Sequence, residues 1–276
     1  MITGGIKFFT KSKVLAEDGG TIVASSGDVA SELAIDKNPA SVWQSVGSND
    51  VTVETLTLTF ASVQISRLFL QRHNFKSFNV QYWNGSAWTH FSSVVGLDGS
   101  QANVTETTFS KDTAYYEFAA VTTTQIRIQI TSTQTTNAQK FISQIIACEE
   151  IGTLNGYPKI KNVKHSRNER EKVMLSGKVL IQKGLDSFSC RLEFDDYPTS
   201  YAGDLDIAMA LFDLEEPFLV WLCGGAYGST KFRYTNRGFR LQDIYLVQTR
   251  GDISPEYRGN IYINPVSITI DLKEHV

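Results

Sequence analysis

Polar and apolar residues alternate in several short runs along the first half of the chain. LTLTF places Leu56, Leu58 and Phe60 on one face and Thr57 and Thr59 on the other. QIRIQIT likewise sets Ile126, Ile128 and Ile130 against Arg127 and Gln129. A period of two predicts strands with one face buried and one in water. ISRLFL, FNVQYW and AWTHF are shorter runs of the same kind, and Asn84-Gly85 between the last two is a hairpin signal. Many short strands with turns between them, and no convincing helix, predict a β-sandwich.

The second half opens with the strand-like runs VMLSGKVLIQK and SFSCRLEFDD. The period then changes. Leu205, Ala208, Met209 and Phe212 fall on one helical face, Asp204 stands at a capping position and Pro217 follows, so a helix is predicted over 203–214. FLVWLCGG, GFRLQDIYLVQ and NIYINPVSITIDL return to strand patterns. A β-sandwich or barrel with one packed helix is expected.

Composition places the division between the halves. Residues 1–150 hold 36 Ser and Thr and residues 151–276 hold 14, a shift that marks two differently built units. IGTLNGYPKIKNVKHSRNEREK lies between them, with Gly152, Gly156 and Pro158 as breakers and a mixed charge run behind. That pattern predicts a linker or boundary loop, giving domains 1–152 (with an N-terminal arm) and 153–276. A net charge of -3 argues against nucleic acid as the main partner. No run approaches the roughly 20 apolar residues of a membrane helix, and the first 20 residues lack a signal-peptide core. Membrane insertion is therefore not expected, and synthesis in the cytoplasm is.

ASSGDVASELAIDKNPASVWQS resembles the opening of discoidin-type domains, the coagulation factor 5/8 C-terminal or galactose-binding-like family. Their Ala-x-Asp-Gly-Asn-x-x-(Ser/Thr)-x-Trp pattern is matched by Ala34, Asp36, Asn38, Ser41 and Trp43, with Lys37 where the family usually has Gly. LTLTF, ISRLFL, FNVQYWNGSAWTHF, TTTQIRIQITS and FISQIIACEEIG follow in the family's order, so the resemblance covers about residues 20–152. It implies a jelly-roll β-sandwich with Trp43 plugging the core and Asp36 and Asn38 holding the turn. It further implies binding of glycan, lipid or protein through loops at one end, which fold alone does not choose between. Sugar sites need an aromatic platform and converging polar groups. Arg72, Asn74, Tyr82, Trp83 and Trp88 are the candidate ligand-binding residues, with core or strand-face packing as the other account of the aromatics.

The second half resembles, in architecture, the β-sandwich-plus-helix modules of phage tail-tube, distal-tail and baseplate proteins. That likeness implies a ring oligomer of the chain with other tail or baseplate proteins as partners. The basic positions Lys159, Lys161, Lys164, Arg167, Arg170 and Lys172 would then lie in segments packing on a neighbouring subunit, or in a solvated linker.

Signatures of catalysis are missing. His73, His90, His165 and His275 fit no metal-ligand spacing, oxygen ligands lack EF-hand spacing, and there is no GxSxG elbow. GGAYGSTK (Gly224–Lys231) lacks P-loop order and predicts a flexible hairpin loop. Cys148, Cys190 and Cys223 predict buried thiols, neither a disulfide framework nor a zinc site. Glu193, Asp195, Asp196, Asp204 and Asp206 crowd a strand end and a helix start, where acids favour the helix N-terminus; a glycosidase pair among them is the catalytic alternative.

The leading expectation is a non-enzymatic virion protein of the tail tip or baseplate, needing no cofactor or metal. Its discoidin-like domain would be adhesive or bracing, with host surface glycan as a further partner, and avidity would strengthen weak sites. The alternative is a carbohydrate-binding lectin or accessory module of a bacterial enzyme system.

Overall fold

The computed structural model describes residues 6–38, 40–47, 49–97, 99–154, 159–166, 169–173, 179–183, 187–197, 207, 210–211, 214, 216–222, 244–250, 256–257 and 266–274. The chain is mainly β and divides into two compact units. Ser12 to Glu150 belong to the first. The second combines residues before Ser12, including β1 (Ile6–Thr10), with the described strands from Ile151 onward.

In the first unit β2 (Thr21–Ala24) and β3 (Trp43–Gln44) precede a very long strand, β4 (Glu54–Gln71). β5 (Phe75–Trp83), β6 (Trp88–His90), β7 (Val94–Gly96), β8 (Gly99–Gln101) and β9 (Thr105–Glu106) follow. A second long strand, β10 (Ala114–Thr133), leads to β11 (Phe141–Ile142) and β12 (Gln144–Cys148). LTLTF and ISRLFL, two runs by sequence, are therefore one strand.

β4 and β10 pair antiparallel from Ile130↔Glu54 to Ala114↔Leu70, with register shifts between Glu117 and Val121 and between Thr123 and Gln125. Such bulges bend a strand and increase its twist, so the pair serves both layers of a sandwich. β2 and β5 flank one half of it, β12 and β7 the other. The alternation seen in the sequence sorts the residues as predicted: Leu56, Leu58, Ile126, Ile128 and Ile130 enter the core with Leu68, Leu70 and Ile145. Trp43 is completely buried in that core, and its Nε1 donates to the Ser26 carbonyl at 3.2 Å.

The turn before Trp43 is held as its side chains dictate. Asp36 Oδ1 accepts the Asn38 N–H at 2.8 Å, Asn38 Oδ1 accepts the Ala40 N–H at 3.0 Å, and Ser41 Oγ donates to Asp36 Oδ2 at 2.7 Å. Lys37 has φ +65, the left-handed region in which glycine is unstrained. That explains why a glycine suits this position in the resembled pattern. A part not foreseen is Gln144, buried on β12. Its Nε2 donates to Leu33 O, Asp36 Oδ1 and Asn38 O, and its Oε1 accepts the Lys37 N–H.

The second unit adds β13 (Glu150–Leu154), β14 (Lys159–Ser166), β15 (Glu169–Val173), β16 (Val179–Lys183) and β17 (Ser187–Tyr197). β18 (Phe218–Trp221), β19 (Ile244–Arg250), β20 (Glu256–Tyr257) and β21 (Val266–Glu274) complete it. Its main sheet runs β13-β1-β18-β19-β21-β17-β14, with β20 on β21, while β15 and β16 pair separately. Phe8, Val220, Trp221, Leu192, Val247 and Ile270 are buried, and Arg191 forms a two-pronged pair with Asp271 at 2.7 and 2.8 Å.

The charged run expected to be a linker is instead strand. Lys159–Ser166 pairs with β17 and Glu169–Val173 with β16. Among the described residues β14 ends the sheet order. Of the helix expected over 203–214, Ile207, Ala210, Leu211 and Leu214 are described; the first three are helical and Leu214 is not. Asp204, Leu205, Asp206, Ala208, Met209 and Phe212 lie outside the described residues, as do Arg167, Cys223, Gly224–Lys231 and His275. Among the described residues no helix is long and apolar enough to cross a membrane.

Candidate functional site

The five candidate residues fall in three places. Arg72 and Asn74 stand at the start of β5 and Trp83 at its end, an eight-residue step of roughly 26 Å along a strand. Tyr82 faces inward: it packs against the core with its ring 5.1 Å from that of Phe91. Core packing is therefore the role of Tyr82. Trp83 and Trp88 do come together, paired across the β5–β6 hairpin with ring centroids 5.6 Å apart at 65°.

The Arg72–Asn74 end is a brace. Asn74 Nδ2 donates to Gln139 O at 2.7 Å, its Oδ1 accepts the Phe141 N–H at 3.0 Å, and its carbonyl accepts the Gln134 N–H at 2.8 Å. Asp50 ties the same region by accepting the N–H groups of Thr133 and Asn137. These hydrogen bonds hold its carboxyl below the ordinary carboxylate range. The buried Lys140 ammonium donates to the carbonyls of Asn49 and Thr52. Both ends of the Asn74 amide are occupied in holding loops.

The other end differs. Strand register lines up a row on the outer face, Val23–Thr57–Arg127–Gln81–His90, crossing five strands. Beside it run Thr55–Gln129–Asn79–Thr105 and the Trp83–Trp88 pair. Arg127 extends across Gln81, whose Oε1 accepts from Nη2, and brings its Cζ to 4.4 Å from the centre of the Trp88 ring. Gln81 Nε2 lies 3.2 Å from His90 Nε2. Arg127 Nε is buried without a hydrogen-bond partner among the described residues, as is Asn79 Oδ1. Partial burial disfavours the Arg127 charge and lowers its pKa. Trp83, Trp88, Gln81 and Arg127 are half-buried and His90 is exposed.

This arrangement offers flat apolar surface beside amide, imidazole and guanidinium groups on rigid strands. Sequence reasoning had two of its members, Trp83 and Trp88, and missed Arg127, Gln81 and His90. QIRIQIT already marked Arg127 as outward-facing; which strand lies next to it was not written there.

A recess lies at the β7–β8 hairpin, lined by Gly96, Gly99, Gln101, Glu106 and Tyr116 among others. Its polar groups close on each other: Tyr116 donates to Glu106 Oε1 at 2.9 Å and Gln101 Nε2 does so at 3.4 Å. Among the described residues no three or more His, Cys, Asp or Glu side chains form a metal-holding group. Cys148 and Cys190 are buried free thiols, and burial raises both pKa values, that of Cys190 to about 12. His73 is buried among Phe75, Phe78 and Phe109.

No family model matches the chain, and no curated protein matches it. Solved structures resemble part of it. Chitosan-binding module 2 of a chitosanase/glucanase from Paenibacillus sp. IK-5, in complex with chitotriose, is 20% identical; the match covers 49% of this chain and 97% of that one, with a TM-score of 0.39. Module 1 of the same enzyme is 20% identical over 49% of this chain and 97% of its own, with a TM-score of 0.39. A family 32 carbohydrate-binding module from C. perfringens, in complex with galactose, is 14% identical over 50% and 98%, with a TM-score of 0.38. The sugars named belong to those modules. The expected tail-tip or baseplate subunit has no counterpart among these structures.

Proposed function

We propose that the first domain is a non-catalytic carbohydrate-binding module and that the outer face around Trp83, Trp88 and Arg127 is its ligand surface. One observation carries this reading: two half-buried tryptophans, paired across a hairpin, stand beside an arginine whose hydrogen bond among the described residues goes to a neutral amide and not to a carboxylate. Aromatic side chains offer apolar area and a polar rim at little conformational cost, and sugars present apolar ring faces edged with hydroxyls. Gln81 and His90 give that rim donors and acceptors on a strand and a hairpin, which hold position better than long loops. The Asn74 amide, by contrast, is taken up at both ends by loop backbone.

Isothermal titration of the whole chain against a panel of soluble oligosaccharides tests the proposal. At least one should bind, and Trp83→Ala should weaken it more than tenfold with the thermal unfolding midpoint nearly unchanged. Binding indifferent to both Trp83→Ala and Trp88→Ala would remove this face from consideration.

A further inference from the structure

The surface around Arg127 has an unbalanced charge. The three rows that cross the face hold Thr, Gln, Asn, Val, Trp and His, and Arg127 is their only Lys, Arg, Asp or Glu. A guanidinium on a partly buried strand face usually meets a carboxylate, because removing its water costs more than neutral neighbours return. Here it meets a neutral amide, Gln81 Oε1, and the ring of Trp88 at 4.4 Å. Both fix the direction of the group and neither neutralises it. Nε is buried with no partner, and among the described residues Arg127 makes no hydrogen bond other than the one to Gln81.

Resting on the carbohydrate-binding reading, we propose that the sugar this face takes is acidic, a uronate-type residue whose carboxylate sits on the Arg127 guanidinium while its ring lies against the tryptophans. A carboxylate matches the planar fork of arginine and forms charge-assisted hydrogen bonds about twice as strong as neutral ones. Trp88 and Gln81 hold the fork in place beforehand, so little side-chain freedom is lost on binding. Partial burial strengthens the attraction relative to an arginine in open water. A neutral sugar would gain from the tryptophans and the Gln81–His90 rim but leave the charge uncompensated.

The test uses the whole chain and short galacturonate, glucuronate and mannuronate oligomers, each paired with its carboxyl-reduced neutral counterpart. The acidic member of at least one pair should bind roughly ten- to a hundredfold more tightly, and 0.5 M salt should narrow that gap. Arg127→Gln should abolish the preference, Arg127→Lys should retain part of it, and Trp83→Ala should weaken both members of the pair. Thermal unfolding midpoints check that each variant is folded. Equal affinity for acidic and neutral members, or a preference that survives Arg127→Gln, overturns the acidic-sugar inference and leaves the module reading intact. Failure of every acidic and neutral glycan to bind overturns both.

Discussion

Acidifying the solution from pH 7 to pH 5 should cost the first domain about 2 kcal/mol, and His73 is the cause. Its ring is 2% exposed and packed 4.7, 5.6 and 5.3 Å from those of Phe75, Phe78 and Phe109. Nδ1 accepts the Phe75 N–H at 3.1 Å, which puts the ring proton on Nε2, and Nε2 is buried without a partner among the described residues. A second proton would create an imidazolium among phenylalanines while taking away the acceptor that Phe75 uses. Burial accordingly lowers the pKa from 6.5 to about 3. The unfolded chain binds this proton below pH 6.5 and the folded chain does not until near pH 3, so stability falls throughout that window. Between pH 7 and pH 5 the difference comes to about 2 kcal/mol, and by pH 3 to roughly 4–5 kcal/mol. Against a typical stability of about 5–15 kcal/mol that is a measurable share. Urea unfolding followed by tryptophan fluorescence reports on it, since Trp43, Trp83 and Trp88 all belong to the first unit. His73→Asn keeps a side-chain acceptor near the Phe75 N–H and removes the titration. It should be less stable at pH 7, through lost packing, yet show a flatter slope from pH 7 to pH 5. An NMR titration of the His73 ring with a midpoint near 6.5 in the folded protein would refute the reasoning, as would an unchanged slope in the variant.

Three further outcomes follow from the turn ahead of Trp43. Gln144→Leu leaves the part-buried Lys37 N–H and three acceptors without their partner, and chemical denaturation should show a loss of roughly 2–4 kcal/mol. Gly27 has φ +64, and an added Cβ would lie 2.3 Å from the Gln44 carbonyl oxygen. Gly27→Ala should therefore cost about 2–4 kcal/mol by the same measurement, and the emission of Trp43, whose Nε1 lies 3.4 Å from that Cβ position, should shift with it. Lys37→Gly relieves a left-handed backbone at the expense of an exposed ion pair with Glu17, and should raise stability by up to ~1 kcal/mol where Lys37→Ala raises nothing.

What could be seen in the sequence was whatever is set by near neighbours. Asp36, Asn38 and Ser41 bond within five residues of one another, so the turn under Trp43 was visible from its letters. Gln144, the residue that completes that turn, is 108 positions from Asp36 and carries no local signal. Asn84-Gly85 marked a hairpin correctly, although the loop spans Asn84–Ala87, with Asn84 Oδ1 accepting from Ser86 and Ala87. The charge run after residue 158 misled for a physical reason: strands and loops both accommodate charged residues, and composition alone does not separate them.

The proposed ligand surface shows the same limit more sharply, because it depends on register. Alternation put Arg127 on the polar face of its strand; only the pairing Arg127↔Gln81↔His90 puts it beside the tryptophans. A shift of one residue in β5 would have turned Trp83 inward and Tyr82 outward. Choosing candidates by residue type therefore gathered one inward tyrosine, one bracing asparagine, one exposed arginine at the far end of β5 and two members of the proposed surface. Unspent capacity separates them. Asn74 has a partner at both ends of its amide, and Tyr82 is packed into the core. Arg127 is held just as firmly, by a ring and an amide, yet its charge is unanswered. A fixed group with an unmet interaction is what a ligand can complete, and that condition singles out Arg127 before any sugar is named.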